Sequence, residues 1–350
     1  MLTTASSMLI MVLASIFVFG LLVFVHELGH FLTAKSVGMR VEEFALGFGK
    51  KVVGFQKGET LYSLRAIPLG GFNRISGMDP EEELDERSYS SKPLWARMFV
   101  IVAGSVMNFI LPVLLFFIVI MSSGISLPSN EPVLGEMIDN KPAVMAGLEA
   151  GDRIVEVDGK FVHDWQGVVD AVREAKQAEI EIAFTRDGVL DATMVTAEWE
   201  PNTKRYFIGV QPVIEHQYLE TDEAFIAAAQ KTGMIIERMI TGLKQMITGE
   251  VKAELAGPIG VIQMTGEVAS LGMMPLLNFA ALLSINLGII NLLPIPGLDG
   301  GHVVMLLVEG IRGRALGAKA LRVIQFIGSA LILSLMVYAT ISDVARFNFF

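Results

Sequence analysis

The sequence predicts a polytopic α-helical membrane protein, with about four transmembrane helices and a small α/β domain inserted between the second and the third. Three observations carry that expectation. The 350-residue chain is 52% hydrophobic and only 18% charged, with a mean hydropathy of +0.54, a composition unusual for a soluble globular protein. Its apolar residues are clumped: Met1–Val25, Met98–Met121, Leu271–Leu298 and Val323–Ser342 hold no Lys, Arg, Asp or Glu. Each stretch is near or above the roughly 20 residues that a helix needs to cross about 30 Å of hydrocarbon. Between the second and third stretches, Glu131–Pro212 carries strand, turn and helix signals over a length sufficient for a small independent domain.

The net charge of −10 is unevenly spread. Lys and Arg number ten in Phe31–Arg97 and twelve in the far longer Ser122–Ser270, against nine and twenty-four acidic residues. The positive-inside rule therefore puts the first segment in the cytoplasm, and the N-terminus, central segment and C-terminus outside. Arg312, Arg314, Lys319 and Arg322, between spans three and four, agree. The chain has no cysteine, which excludes disulfides, iron–sulfur clusters and thiolate zinc sites. Any metal must be held by His, Asp or Glu.

Span one lacks the basic leader and the small-x-small cleavage site of a signal peptide, so it is read as a retained helix ending near Phe31. Within Val41–Ser76, the runs Val52–Phe55 and Leu61–Ile67 flank a Lys57-Gly58 turn and predict a β-hairpin. The run Glu81-Glu82-Glu83-Leu84-Asp85-Glu86 reads as a solvated acidic linker. In the inserted domain, Asp164 is a helix cap ahead of Val168, Val172 and Ala175 at helical spacing. Ile180, Ile182 and Phe184 alternate along a strand that turns at Asp187-Gly188, and Tyr206, Ile208 and Val210 form a closing strand. From Ala224 to Gly249 an apolar stripe through Phe225, Ala228, Ile235, Met239, Leu243 and Ile247 predicts an amphipathic helix. It suits either the membrane surface or a packed face on the soluble domain. The expected organisation is 1–125 for the first two spans, 126–213 for the inserted domain, 214–270 for a linker helix region and 271–350 for the last two spans.

The sharpest chemical signal is His26-Glu27-Leu28-Gly29-His30 at the end of span one. Positions four apart share a helix face, so both imidazoles can grip one metal ion, and Glu27 sits beside them to take a proton from water. Ionisable residues in a span are expensive to bury and demand a reason. Zinc suits the set, and a catalytic zinc wants a third protein ligand with a fourth position left for water. Span three offers it in Asn291-Leu-Leu-Pro294-Ile-Pro296-Gly297-Leu298-Asp299-Gly300-Gly301-His302. Two prolines and three glycines predict an unwound segment, which at membrane depth is tolerated only inside protein or beside water. Asp299 is the favoured ligand over a simple helix-capping role; His302 competes with it and otherwise lies around the site as an outer partner.

Taken together, HELGH in the first span and the Asn291–Gly300 motif in the third resemble the two signatures of the site-2 protease family of intramembrane zinc metalloproteases, in its bacterial branch with one PDZ domain. The resemblance covers most of the chain in order. It implies one Zn²⁺ per chain on His26, His30 and Asp299, with Glu27 as catalytic acid/base. It further implies a multi-pass protein of a bacterial inner or cytoplasmic membrane, with the active site opening to the cytoplasm and a PDZ-like domain outside. Pro142-Ala143-x-x-Ala146-Gly147-Leu148-x-x-Gly151-Asp152-x-Ile154-x-x-Val157-Asp158-Gly159 resembles a PDZ core, a fold that binds extended peptide ends by strand addition. Glu43–Gly49 and Ile67–Phe72, including Gly70 and Gly71, look like the family's membrane-associated β elements. Gly104-Ser105-Val106-Met107-Asn108 resembles a family motif that usually carries proline where this chain has Ser105. Asn108, Asn291, Pro294 and Pro296 are candidates for holding substrate or supporting the site. Ala256-Gly257-Pro258-Ile259-Gly260 matches a further family segment without an evident chemical role.

The expected activity is intramembrane endopeptidase cleavage of single-span membrane proteins already shortened by another protease, such as anti-sigma factors or signal-peptide remnants. Lipid surrounds the protein, and no nucleic-acid partner is expected. A non-catalytic scaffold presenting the PDZ-like domain would not need Glu27 and Asp299. A metal transporter would need further carboxylates in the spans, and spans two and four have none.

Overall fold

A computed structural model describes residues 4–78, 82, 85–174, 179–200, 205–251 and 257–346. Within it the chain divides into two compact units, Met1–Ser122 with Glu220–Phe350, and Ser123–Leu219. Among the described residues, four helices are long and apolar enough to cross a bilayer. They belong to α1 (Thr4–Ser36), α2 (Leu94–Ser123), α7 (Met273–Asn291) and α9 (Ala318–Arg346). Helix α1 runs past Phe31 to Ser36, so the HELGH motif lies inside the helix rather than at its end. Large apolar side chains on these helices face outward, including Leu9, Leu13 and Phe17 on α1 and Phe326, Leu333 and Ile341 on α9. A belt of this kind needs lipid rather than water around it. The protein is a polytopic membrane protein.

Between α1 and α2 the chain forms β1 (Val41–Lys57) and β2 (Thr60–Ile75). The hairpin is larger than the alternation around its turn predicts, because both strands fold back on themselves. Glu43 pairs with both Leu61 and Arg74, Phe44 with Tyr62 and Asn73, Ala45 with Ser63 and Phe72, and Leu46 with Leu64 and Gly71. Lys51–Lys57 then pair with Arg65–Thr60 on the far side. Two strands thus make four runs, in the order 51–57, 60–65, 41–46, 71–75; the central runs 60–65 and 41–46 lie parallel, and each is antiparallel to its outer neighbour. The bends fall at Gly47, Gly49 and Gly70, with φ of 86°, 83° and 96°, backbone conformations that residues with a Cβ rarely adopt. Run 71–75 has one partner and forms an outer edge. Of the acidic linker, residues 81, 83 and 84 lie outside the described residues.

The second unit contains β3 (Ile125–Pro128), β4 (Leu134–Met137), α3 (Pro142–Met145), β5 (Arg153–Val157), β6 (Lys160–Phe161), α4 (Trp165–Glu174), β7 (Glu179–Arg186), β8 (Val189–Thr196), β9 (Glu198–Glu200), β10 (Arg205–Phe207), β11 (Val210–Pro212) and β12 (Ile214–Gln217). Its main sheet has the order β6-β5-β7-β8. Leu134, Ile154, Val157, Val168, Val172, Ile180, Ile182 and Phe184 close its core, giving a PDZ-like α/β fold. Asp164 caps α4 as predicted, its Oδ1 accepting from the Gly167 N–H at 2.7 Å. Ala175 lies outside the described residues. The closing strand expected through Tyr206, Ile208 and Val210 is broken in two. β10 pairs with β9 and β11 with β4, and Gly209 at φ 84° redirects the chain between these partners.

The amphipathic segment forms α5 (Thr221–Thr248). Its first half packs against the apolar helices: Phe225 meets Phe117 edge-on at 6.1 Å, and Lys231 sits 4.4 Å from the Phe116 ring while donating to Asn278 Oδ1 at 3.0 Å. After α6 (Pro258–Ser270) and α7 come α8 (Asp299–Arg312) and α9. The Gly257–Gly260 segment, which carries no visible chemistry, opens α6. Its Gly257 and Gly260 N–H groups donate to the buried Asp343 carboxylate of α9 at 2.9 and 2.8 Å, satisfying donors that a helix start leaves unpaired. Ala256 lies outside the described residues.

In the PDZ-like unit, Arg186 Nε and Nη2 each donate to Asp152 at 2.8 Å, and Asp152 is 1% exposed. Burial by itself raises the Asp152 carboxyl, but the hydrogen bonds from Arg186 and the Glu149 N–H outweigh it and hold the group below its ordinary value. A lowered folded-state value means that the pair stabilises above about pH 4 and that this contribution fades as pH falls through the depressed value. Arg186→Ala is expected to destabilise this unit at neutral pH, because it leaves the buried Asp152 carboxylate without its charged partner. Hydrogen exchange across residues 123–219 of the whole protein should show that loss, with the gap to the parent closing as the pH drops below about 4.

Candidate metal centre

His26 and His30 lie one turn apart on α1, and their Nε2 atoms are 3.2 Å from each other. The helix repeat alone sets this spacing. Asp299 is the first residue of α8, preceded by Leu298 as N-cap, and its Oδ2 lies 3.5 Å from His26 Nε2 and 3.6 Å from His30 Nε2. Its side chain therefore turns toward the imidazoles. Around zinc, ligands at about 2.0–2.1 Å in tetrahedral array stand roughly 3.3–3.4 Å apart. The three donor atoms match one face of such a tetrahedron, and they form a possible metal-holding group among the described residues.

The helix α7 ends at Asn291, and residues 292–298 are non-helical before α8 begins. Pro294 and Pro296 deny backbone donors there. Gly300 and Gly301 lie tight under the carbonyls of Leu292, Leu293 and Ile295, where a side chain would collide. This packing folds the loop back and presents Asp299. Pro296 in turn lies against Gly328 of α9, with no room for a Cβ.

Helix α2 completes the surroundings. Its Gly104 lies directly beneath the two imidazoles, where a Cβ would overlap the His30 ring. His30 Nδ1 is 2.8 Å from the Val100 carbonyl, so Nδ1 carries the proton and Nε2 presents its lone pair. His26 Nδ1 is 3.1 Å from the Asn108 amide nitrogen, while Asn108 Oδ1 is buried without a partner among the described residues. A half-turn of that amide pairs Oδ1 with an Nδ1–H and frees His26 Nε2 as a second lone pair. The orphaned oxygen thus fits a metal-binding tautomer. Ser105, fully buried, donates from Oγ to Asp299 Oδ2 at 3.2 Å.

Glu27 is held from the hairpin side. Asn73 of β2 donates from Nδ2 to the Glu27 backbone carbonyl and to Oε2, both at 2.7 Å. Gly71 lies against Val23 and Glu27, whereas Gly70 lies under the Phe48 ring. His302 is not part of the three-residue donor group among the described residues; Asn291 ends α7, and Pro294 lies in the loop after it. Sequence reasoning missed Asn73, which has no motif signal, since only the folded-back register of β2 brings it to α1. It noted Ser105 only as a departure from a pattern.

A model of peptidase family M50 matches residues 14–335. The chain belongs to peptidase family M50. It is similar to the regulator of sigma-W protease RasP of Bacillus subtilis, 33% identical over 96% of this chain and 98% of that protein. It also resembles zinc metalloprotease RasP of Bacillus licheniformis, 34% identical over 96% and 99%. A third relative, zinc metalloprotease RasP of Geobacillus kaustophilus, is 31% identical over 96% and 98%. This M50 protein is accordingly a zinc metalloprotease of the site-2 protease family, and zinc is its cofactor.

Gly104→Ala tests the convergence of helices on this centre. The added methyl is expected to push the imidazoles apart and lower zinc affinity at least about ten-fold, read by metal analysis after chelator competition.

Proposed function

We propose that His26, His30 and Asp299 are the zinc ligands and that Glu27 is the acid/base of an intramembrane endopeptidase. The carrying observation is the convergence of two imidazole nitrogens and one carboxylate oxygen within 3.2–3.6 Å, beside a carboxylate held by Asn73. When bound, zinc supplies a Lewis acid that polarises a carbonyl and makes water acidic enough to lose a proton near neutral pH. Glu27 takes the proton from the attacking water and returns it to the leaving amine. Asn73 anchors one carboxylate oxygen, leaving Oε1 for that exchange.

The substrates we infer are single-span membrane proteins already shortened by another protease, with anti-sigma factors and signal-peptide remnants as the leading examples. A transmembrane helix hides its amides in internal hydrogen bonds, so cleavage requires local unwinding. The outer run 71–75 of the folded-back sheet supports this reading, because an unpaired edge beside Glu27 can hold a segment extended. In the PDZ-like unit, a cavity of about 470 Å³ between α4 and the β10–β11 segment, lined by Trp165, Val168, Val172, Tyr206 and Ile208, suits an extended peptide end. The charge asymmetry favours a site opening to the cytoplasm, with the Ser123–Leu219 segment outside.

Glu27→Gln is expected to keep zinc and lose cleavage of a single-span model substrate by about 10²–10⁴-fold; equal cleavage by both proteins would overturn the assignment. Asn73→Ala should lower kcat about 10- to 100-fold through misplacement of Glu27. Its KM and zinc content should stay near those of the parent, in the same cleavage and metal assays.

A further inference from the structure

We propose that Ser105 is a positioning residue of the metal site, its hydroxyl holding Asp299 in the orientation that faces the two imidazoles. The proposal rests on the reading of Asp299 as a zinc ligand and adds a determinant of zinc affinity. Ser105 follows Gly104 in α2 and is fully buried. Its Oγ lies 3.2 Å from Asp299 Oδ2, the same oxygen that lies 3.5 and 3.6 Å from the imidazole nitrogens. A carboxylate oxygen has two lone-pair directions, so Oδ2 can accept from Ser105 and face a metal at once.

Asp299 needs such a restraint more than the histidines do. The imidazoles are placed by a continuous helix, and their far nitrogens are fixed by Val100 and Asn108. Asp299 instead follows a non-helical loop at the first position of α8, where two side-chain torsions remain to be set. Among the described residues, Ser105 is the uncharged side chain that donates to this carboxylate. A buried hydroxyl would also be costly without a partner, and the carboxylate supplies one. Partners of this kind orient ligands, and their removal typically weakens metal binding about 10- to 100-fold.

The test is a double-mutant cycle on the full-length protein in detergent, with the zinc dissociation constant measured by chelator competition for the parent, Ser105→Ala, Asp299→Ala and the double variant. Thermal unfolding of each zinc-free protein checks that the nearly isosteric alanine at 105 leaves the fold intact. The expected result is about ten-fold weaker zinc binding for Ser105→Ala in the parent and no further loss in the Asp299→Ala background. Parent-like zinc binding by Ser105→Ala, while Asp299→Ala is weakened, overturns the role of Ser105 and leaves the ligand assignment standing. An equal loss in both backgrounds shows packing rather than orientation of Asp299 and also overturns it. Parent-like binding by Asp299→Ala overturns the ligand assignment and this proposal with it.

Discussion

Two imidazoles and a carboxylate must meet at one point between apolar helices, and most of the structure around them answers that demand. Isolated ionisable groups are costly away from water; grouped donors that share hydrogen bonds and a metal are not. The histidine pair comes from the helix repeat alone. The carboxylate comes from the first residue of α8, directly after the break between α7 and α8. That break leaves backbone groups which must be buried in protein. The close packing of Gly300 and Gly301 under their own loop, and of Gly328 under Pro296, provides that cover.

Close approach of helices has a second cause in small residues. Gly29 crosses the Ala103 carbonyl and Gly104 lies beneath the imidazoles, so α1 and α2 approach to a separation that larger residues would prevent. Ser284 of α7 donates to the Asn108 carbonyl at 2.8 Å, and Arg97 of α2 holds Glu309 of α8 with contacts of 2.6 and 3.1 Å. Helices α7 and α8 are thus each tied to α2 by a polar contact. Helix α9, largely lipid-facing by its exposed apolar residues, meets the rest at the Pro296 loop and through Asp343 at the start of α6.

The folded-back hairpin brings a carboxylate with a fixed direction, that of Glu27, next to the outer run of the sheet. Asn73 connects the two, since it lies on the outer run of the sheet and holds Glu27 from there. Bends at Gly47 and Gly70 make that run possible, so the local freedom of a glycine is converted into the position of the Glu27 carboxylate.

By itself the sequence determined the four apolar helices, the small α/β insertion, the histidine pair and the break ahead of Asp299, because each is written in local composition, period or spacing. Hydrophobic length specifies a membrane helix without reference to neighbours, and a four-residue interval specifies a shared helix face. Only the tertiary structure decided which way Asp299 faces, that Asn73 reaches Glu27, that Ser105 reaches Asp299, and that Asp343 caps α6. It also decided that Tyr206–Val210 divides between two sheet partners and that the first half of α5 rests on α2 and α7. These are contacts between residues far apart in the chain, or choices between partners of similar local pattern. Their geometry follows from how glycines let backbones approach and how strands bend, which no window of sequence records.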